Sequence, residues 1–281
     1  MEKREFSVLD AIGNTPLIRI DNVYAKLEGV NPSGSIKDRV AREIIEAAER
    51  EKKKKKGYTI IEASSGNTGI SLAMCATVKG YNMVVVMPEN MSEERQHIMK
   101  AFNASLVLTS KSGSLKESIE KAEELAREPK TFLARQFSNP NNIRAQEKTG
   151  QEILKDIGFV DAIVAGVGTG GTLMGITRVM KAANPGVKVI AVEPEEASVM
   201  FGGSDARIKE HKIQGIGDGF IPKIVDMSTV DEAVTVGSEE AVEMTRRLFR
   251  EYGLLVGISS GANMLVALQA ARKYDRVVTV L

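Results

Sequence analysis

The strongest chemical signal in the sequence is a glycine-rich run at residues 166–172, G-V-G-T-G-G-T, which follows a predicted strand and precedes a predicted helix. The first N–H groups of a helix have no intrahelical partner and carry a partial positive charge, so such a run can surround a phosphate. Gly166, Gly168 and Gly171 also match the G-x-G-x-x-G pattern of dinucleotide-binding loops, and Glu193 ends the next predicted strand, where a ribose ligand is expected. The run alone therefore leaves open both NAD and another phosphorylated cofactor.

A second run of this kind is Ser64-Ser65-Gly66-Asn67-Thr68-Gly69, which also lies where a predicted strand gives way to a helix. It offers backbone N–H groups, three hydroxyls and a side-chain amide, whereas an ordinary helix N-cap needs one polar side chain. Such a set suits a carboxylate or another anion. Two anion-binding loops in one chain favour a substrate together with a phosphorylated cofactor.

Lys37 stands out among the lysines because it follows a turn rich in Ser, Gly and Pro, at the predicted start of the first helix. The positive end of a helix disfavours an ammonium group, so this position favours the neutral amine. A neutral amine is the form that bonds to a carbonyl in Schiff-base chemistry. The alternative is a surface lysine without a chemical role.

Side chains that could bind a metal are sparse. Cys75 is the single cysteine and lies in an apolar helical stretch, which predicts a core residue and excludes a disulfide framework within one chain. His97 and His211 have no carboxylate or thiol at a ligand spacing. No metal site is therefore predicted.

The elements that must position these residues alternate in type along the chain. Apolar, β-branched runs predict strands at residues 58–61, 83–86, 106–108, 162–164, 187–192 and 277–281. Helical spacing predicts helices at residues 70–79, 93–102, 115–127, 143–157, 173–183, 239–252 and 265–274. This alternation predicts an α/β fold with parallel sheets covered on both faces, and the breaker-rich stretch at 138–142 predicts two sheets.

Composition adds few constraints. The chain has 281 residues, 43% of them hydrophobic and 27% charged, and a net charge of +1, which gives no electrostatic argument for a nucleic-acid or membrane partner. The charged first residues and the lack of any long apolar run predict a cytoplasmic protein. The apolar segment at 277–281 reads as a final strand, so a chain lacking the usual last segment is expected.

Several motifs now occur together and in order: residues 13–17, 26–28, 31–39, 64–69, 168–172 and 257–261. This set resembles the O-acetylserine sulfhydrylases (cysteine synthases), fold-type II pyridoxal-phosphate enzymes of the cysteine synthase and cystathionine β-synthase family. The resemblance runs from about Ser7 to the end. It implies two tryptophan synthase β-like α/β domains, each with a helix-covered, mostly parallel twisted sheet. The smaller would span residues 38–142, and the larger residues 1–37 together with 143–281.

The resemblance also implies roles for individual residues. Lys37 looks like the Schiff-base lysine and general base, and Asn67 like the ligand of the cofactor's 3′-oxygen. Five residues resemble the phosphate cup: Gly168, Thr169, Gly170, Gly171 and Thr172. Four resemble the pocket for the substrate's α-carboxylate: Ser64, Ser65, Thr68 and Gln136. Ser259 resembles the hydroxyl that meets the pyridine nitrogen, and Gly215 lies in a loop similar to the one beside the cofactor.

The reaction that the resemblance implies is the conversion of O-acetyl-L-serine and sulfide to L-cysteine and acetate through an aminoacrylate, in a homodimer with serine acetyltransferase as a partner. A hydroxyl at Ser259 would not keep the pyridine nitrogen protonated, which favours elimination over transamination. Sister enzymes acting on cysteine, phosphoserine or homocysteine remain alternatives. An NAD-dependent oxidoreductase is a more distant one.

Asp218 departs from the resembled pattern, in which an alanine is usual at this position of the Gly215–Gly219 loop. Its carboxylate could simply point to solvent, since Asp is common in glycine-rich turns. Alternatively, it could act as a base toward an incoming thiol or water and so modulate the choice of acceptor. The sequence leaves both interpretations open.

Overall fold

The computed structural model describes residues 6–51, 57–110, 115–200 and 209–281. The chain folds as two compact units. The first unit contains Val30–Asn141 together with the N-terminal segment that ends at Ile12, and the second contains Gly13–Gly29 and Asn142–Leu281.

Strands and helices alternate along most of the described chain. The strands are β1 (Leu17–Ile20), β2 (Val23–Lys26), β3 (Thr59–Ala63), β4 (Asn82–Pro88), β5 (Ala104–Thr109), β6 (Thr131–Leu133), β7 (Ala162–Gly166), β8 (Lys188–Pro194), β9 (Glu232–Val236) and β10 (Val277–Val280). The helices are α1 (Lys37–Arg50), α2 (Asn67–Lys79), α3 (Glu93–Ala101), α4 (Leu115–Leu125), α5 (Pro140–Ile157), α6 (Gly171–Ala183), α7 (Ser238–Tyr252) and α8 (Ile258–Ala270). Short 3-10 helices cover Val8–Ala11, Glu28–Val30, Glu195–Ala197 and Met227–Thr229.

The first unit is built on a four-stranded sheet with the strand order β5-β4-β3-β6, in which all neighbouring strands are parallel. Ile61, Ala63 and Val86 of the sheet pack with Ala122 of α4 in a buried cluster. Because the strands are parallel, the segments that follow β3 and β6 leave the sheet at the same edge. That edge carries Ser64–Gly66 and the turn at residues 134–138.

The second unit is built on a six-stranded sheet with the order β1-β2-β10-β7-β8-β9, parallel except for the antiparallel pair β1–β2. Successive residues of β7 enter different clusters: Ala162 and Val164 pack on one face, and Ile163 and Ala165 on the other. Such two-sided burial is why this strand reads as an unbroken apolar run in the sequence. The parallel α/β architecture predicted from the alternation is confirmed.

The last helix differs from its predicted range. The sequence predicted residues 265–274, whereas α8 covers Ile258–Ala270. Its first turn is polar and contains glycine, so it lacks the apolar periodicity from which the start of a helix is predicted. Gly261 is required there by packing, since a Cβ at this position would lie 2.2 Å from the carbonyl oxygen of Ala241 in α7.

The division of the N-terminal segment also differs from the predicted domains, which placed residues 1–37 with 143–281. The structure keeps the break near residue 142 but groups residues 6–12 and 30–37 with the first unit. Two contacts of α1 explain this. Arg42 Nη1 donates to the carbonyl oxygen of Leu9 at 2.8 Å, and the backbone N–H of Ser33 donates to Asp38 Oδ2 at 2.7 Å.

Membrane-spanning helices and metal sites were both searched for in the described residues. Among those residues, no helix combines the length and hydrophobicity needed to cross a membrane. Nor do the His, Cys, Asp and Glu side chains of the described segments form a group of three or more that could hold a metal ion. Cys75 is buried within α2, and burial raises the pKa of its thiol. The thiol is therefore a core group, as the sequence predicted.

Candidate active site

The loop that joins β3 to α2, together with the first turn of α2, carries four of the predicted site residues in the first unit: Ser64, Ser65, Asn67 and Thr68. Ser64 Oγ accepts hydrogen bonds from the backbone N–H groups of Gly69 at 3.0 Å and Gly66 at 3.3 Å. The loop thus folds back over Ser64 and directs the start of α2, with Asn67 exposed as its first residue. Polar groups and the positive end of a helix are brought together here, which suits an anion.

Gln136 reaches this loop from the segment after β6. Its Nε2 donates to the carbonyl oxygen of Ala63 at 2.9 Å, and its Oε1 accepts from Thr68 Oγ1 at 2.6 Å. The side chain is 5% exposed. The structure therefore brings Gln136 together with Ser64, Ser65 and Thr68, the four residues predicted to bind a carboxylate, at one edge of the first sheet.

Glu62 lies in β3, two positions before Ser64, and was not among the predicted site residues. It is 2% exposed, and one carboxyl oxygen accepts from the backbone N–H of Gln136 at 3.2 Å. Burial raises the pKa of Glu62 to about 8, although hydrogen bonds from backbone N–H groups oppose the shift. In the sequence, Glu62 is a charged residue directly after an apolar run. Such a residue often marks the exposed end of a strand, so the pattern did not indicate a buried carboxyl group.

Arg95 is a second residue that nothing in the local sequence marks. It lies in α3, and its Nη1 donates to the carbonyl oxygen of Ser65 at 3.3 Å. The same nitrogen lies 3.5 Å from the position that a Cβ on Gly66 would occupy. Burial lowers the pKa of the guanidinium, with the charge of Glu94 acting in the opposite direction. The anion-binding loop thus has a cation beside it.

Lys37 is the first residue of α1, and its side chain is half-buried. The turn before it is fixed by Ser33, which hydrogen-bonds to the Asp38 carboxylate through both its backbone N–H and its hydroxyl. The same hydroxyl lies 3.0 Å from Ser71 Oγ in α2. These contacts join the start of α1, with Lys37, to the helix that begins with Asn67.

In the second unit, the glycine-rich run joins the end of β7 to the start of α6. Gly170 has φ +82° and precedes the helix, and the first turn of α6 has no side-chain cap. Thr169 is 8% exposed, and its hydroxyl accepts from Asn142 Nδ2 at 2.9 Å. The backbone N–H groups of this turn are therefore available to an anion, and Asn142 orients the adjacent hydroxyl.

Close approach of neighbouring chain segments explains two of the glycines in this run. A Cβ on Gly168 would lie 2.2 Å from the carbonyl oxygen of Gly215, and a Cβ on Gly171 would lie 2.0 Å from Asn142 Oδ1. Side chains at these positions would displace the walls of the loop. The residues present therefore fit a bound phosphate group, which needs closely approaching backbone rather than side chains.

Glu193, the expected ribose ligand of a dinucleotide site, has a structural role. It is 2% exposed, and its carboxylate accepts from the backbone N–H groups of Val199 at 3.0 Å and Met200 at 2.9 Å. The carboxylate closes the turn after β8. The acidic residue that a dinucleotide site would use to bind ribose therefore stabilises a turn instead, which disfavours the NAD-binding interpretation.

The loop at residues 214–219 packs against the glycine-rich run. Gly215 and Gly217 have φ of +93° and +74°, and the N–H of Gly217 donates to the carbonyl oxygen of Val167 at 3.0 Å. Asp218 is exposed, yet its Oδ2 lies 3.5 Å from the position of a Cβ on Gly168. The carboxylate therefore lies beside the glycine-rich run while staying in contact with solvent.

Ser259 is the second residue of α8 and is half-buried. One turn later, Asn263 accepts from the N–H of Gly166 at 2.7 Å and donates to the carbonyl oxygen of Val280 at 2.9 Å. Asn263, which had no sequence signal, thereby ties the first turns of α8 to the ends of β7 and β10. The second unit thus brings Ser259, the 168–172 run and Gly215 to one edge of its sheet.

Comparison with known proteins shows the family of the chain. Residues 8–281 match the family model described as pyridoxal-phosphate dependent enzyme. A cysteine synthase of Staphylococcus aureus strain Mu50 is 45% identical over 98% of this chain and 92% of its own length. The cysteine synthase (OASS) structure from Entamoeba histolytica is 38% identical with a TM-score of 0.92, covering 100% of this chain and 88% of that one. A hydrogen sulfide-producing enzyme from Fusobacterium nucleatum is 42% identical with a TM-score of 0.91, covering 98% and 96%.

Proposed function

The chain belongs to the family of pyridoxal-phosphate dependent enzymes, and we propose that it makes L-cysteine and acetate from O-acetyl-L-serine and sulfide by β-replacement. Pyridoxal 5′-phosphate is the cofactor. The observation that carries the proposal is the hydrogen bond from Thr68 to Gln136, because it joins two separate loops into one pocket suited to an amino acid's carboxylate. The similarity to cysteine synthases supports the choice of substrates.

In the first unit, Lys37 carries the cofactor and moves the proton at the substrate's Cα. Its place at the start of α1 supports this role, since the Ser33–Asp38 contacts fix the turn from which its side chain extends. Ser64, Ser65, Thr68 and Gln136 bind the α-carboxylate, and Asn67 binds the cofactor's 3′-oxygen. Orientation of the amino acid by its carboxylate places the Cα proton for removal by one base.

In the second unit, the N–H groups of residues 168–172 and the hydroxyls of Thr169 and Thr172 bind the cofactor's phosphate. When bound, pyridoxal phosphate supplies the electron sink that allows the Cα proton to leave. Ser259 offers a hydroxyl to the pyridine nitrogen, and Gly215 leaves room for the cofactor face. Asn142 supports this set by orienting the Thr169 hydroxyl.

The reaction has two halves that use the same base. Lys37 takes the Cα proton and acetate leaves from Cβ in the first half. Sulfide forms the new bond to Cβ in the second, and Lys37 returns the proton to Cα. Acetate departs before sulfide enters, so the expected kinetics are double-displacement.

A comparison of donors tests the assignment. With sulfide as acceptor, we expect kcat/KM for O-acetylserine to exceed that for O-phosphoserine by about tenfold or more. The phosphate of O-phosphoserine is dianionic, and the single positive charge of Arg95, the cation beside the pocket, does not balance it. Cysteine formed from each donor would be quantified directly. Faster turnover of phosphoserine would instead identify a phosphoserine sulfhydrylase.

The position of Asp218 favours a second candidate function, in which a thiol such as cysteine or homocysteine replaces sulfide as acceptor. A carboxylate beside the phosphate loop could accept a proton from an alkyl thiol, whose pKa of about 8.5 leaves it mostly protonated at neutral pH. It would also repel hydrosulfide. The 42% identity to a hydrogen sulfide-producing enzyme supports keeping this alternative.

The Asp218→Ala variant separates the two functions. If Asp218 is the base for thiols, the variant should keep acetate release, lose about tenfold or more in replacement by cysteine or homocysteine, and match or exceed the parent with sulfide. Asp275→Ala, which removes an exposed carboxylate before β10, is the control. Unchanged rates with every acceptor would return Asp218 to the role of a loop residue, and equal losses with all of them would indicate a folding defect.

Three further features stay predictions. The resemblance to cysteine synthases implies a homodimer and a serine acetyltransferase partner. A cytoplasmic location is likewise a prediction.

A further inference from the structure

Glu62 is a buried carboxyl group at the carboxyl end of β3, immediately before the pocket residues. It is 2% exposed, and its register partner in β4 is the fully buried Val85. Burying a carboxyl group without hydrogen bonds is costly, so the groups that it contacts indicate what it does.

Those contacts are backbone N–H groups, chiefly of the turn after β6. The N–H of Gln136 donates to Glu62 Oε2 at 3.2 Å. The backbone N–H groups of Arg135 and Ala63 also lower the pKa of the carboxyl group through hydrogen bonding, against the larger effect of burial. Arg135 has φ +57°, a left-handed conformation that is unfavourable for a residue with a Cβ. Successive N–H groups around a left-handed residue form a concave site for an anionic or acceptor oxygen, and the Glu62 carboxyl fills it.

This turn also sets the position of the Gln136 side chain, whose amide contacts Thr68 and Ala63. We propose that Glu62 is a positioning residue for the substrate-carboxylate pocket, because its carboxyl holds Arg135 and Gln136 in the turn that places the Gln136 amide against Thr68. The inference rests on the proposed function in one respect, namely that this pocket takes the amino acid's α-carboxylate. The geometric part stands on the contacts alone.

The protonation state of Glu62 gives the pocket a pH dependence. Burial raises the pKa of Glu62 to about 8, so the group is neutral at pH 7 and becomes negative above pH 8. The nearby charged groups are the Arg135 guanidinium, which pairs with Glu123 of α4 at 3.2 Å, and Arg95 of α3 at the Ser65 carbonyl. Within the described residues, β3, β4, β6 and the first turn of α2 contain no other charged side chain. Helix α1 packs on the face of β3 that carries Ile60 and Glu62, and its buried charged side chains are Asp38, Arg39 and Glu43, with Lys37 half-buried at its start. A negative Glu62 should repel an incoming α-carboxylate.

Two variants of Glu62 separate its role in shaping the turn from the effect of its negative charge. Glu62→Leu removes the acceptor, so we expect the KM for O-acetylserine to rise about tenfold or more while the KM for sulfide stays within about twofold. Glu62→Gln keeps an oxygen acceptor of the same reach but cannot ionise. It should match the parent at pH 7 and lack the rise in donor KM that the parent shows from pH 7 to pH 9. Glu123→Gln is the control. It removes the charge of the α4 carboxylate that pairs with Arg135, and it should keep the rise in donor KM.

Amide hydrogen exchange provides a readout that needs no turnover. The N–H groups of Arg135 and Gln136 should exchange faster in Glu62→Leu than in the parent, and at parental rates in Glu62→Gln. This comparison stays informative if O-acetylserine is not the donor, so it separates this inference from the proposed function. Unchanged exchange and unchanged donor KM in Glu62→Leu would overturn the positioning role. An alkaline rise in donor KM that persists in Glu62→Gln would overturn the charge effect.

Discussion

Replacing Lys37 with alanine should lower the rate of cysteine formation by about a thousandfold or more, because the variant loses the amine that we propose both bonds the cofactor and acts as the base at Cα. The turn that carries Lys37 should survive, since Ser33 and Asp38 hold it through groups that the substitution leaves in place. The measurement is the steady-state rate of cysteine formation at saturating O-acetylserine and sulfide.

The control for this variant is Lys116→Ala, because Lys116 has a side chain that is 83% exposed in α4. It should turn over at the parental rate. Borohydride reduction followed by peptide mapping should find the cofactor attached at Lys37 in both the parent and the control. Normal turnover of the Lys37→Ala protein, or attachment at another lysine, would refute the assignment.

Replacing Gly168 with alanine should weaken cofactor binding by about tenfold or more. A Cβ at this position would lie 2.2 Å from the carbonyl oxygen of Gly215, and a backbone atom cannot move aside as the end of a flexible side chain can. Either the phosphate run or the Gly215 loop must therefore shift. The measurement is the apparent Kd of pyridoxal phosphate for protein freed of cofactor.

Gly29→Ala is the matched control for the glycine variant. A Cβ on Gly29 would meet no atom within 4 Å, and its φ is not positive. The change in composition is the same, so cofactor affinity should remain parental. Equal retention of cofactor by Gly168→Ala and Gly29→Ala during dialysis would contradict the proposed phosphate cup.

Strands were predictable where burial is two-sided, whereas two of the edge strands, β6 and β9, were missed. Strands β7 and β8 are buried on both faces and therefore stand out as apolar runs. Strand β6 has three residues, all half-buried, and β9 begins with an exposed Glu232. Neither has an apolar run long enough to mark a strand. Both lie at the edge of their sheets, where hydrogen bonding to the neighbouring strand, rather than local sequence, fixes the extended conformation.

The candidate site could be proposed from the sequence where its residues are close together along the chain. Helix starts rich in glycine and hydroxyl groups suggested anion sites, and the order of the motifs suggested the roles of the other residues. The supporting residues are contacts over long separations: Gln136 meets Glu62 across 74 positions, and Asn263 meets Gly166 across 97. No local pattern records such pairs, so Glu62, Arg95 and Asn263 became visible only in the folded chain.

The proposed β-replacement requires acetate to leave before sulfide adds, and this order can be measured directly. Cofactor-loaded protein would be mixed with O-acetylserine alone, the acetate counted, and sulfide then added. We expect a rapid release of about one acetate per chain, followed on sulfide addition by an equal amount of cysteine. Acetate that appears only after sulfide is added, or acetate release without cysteine on sulfide addition, would contradict the claim.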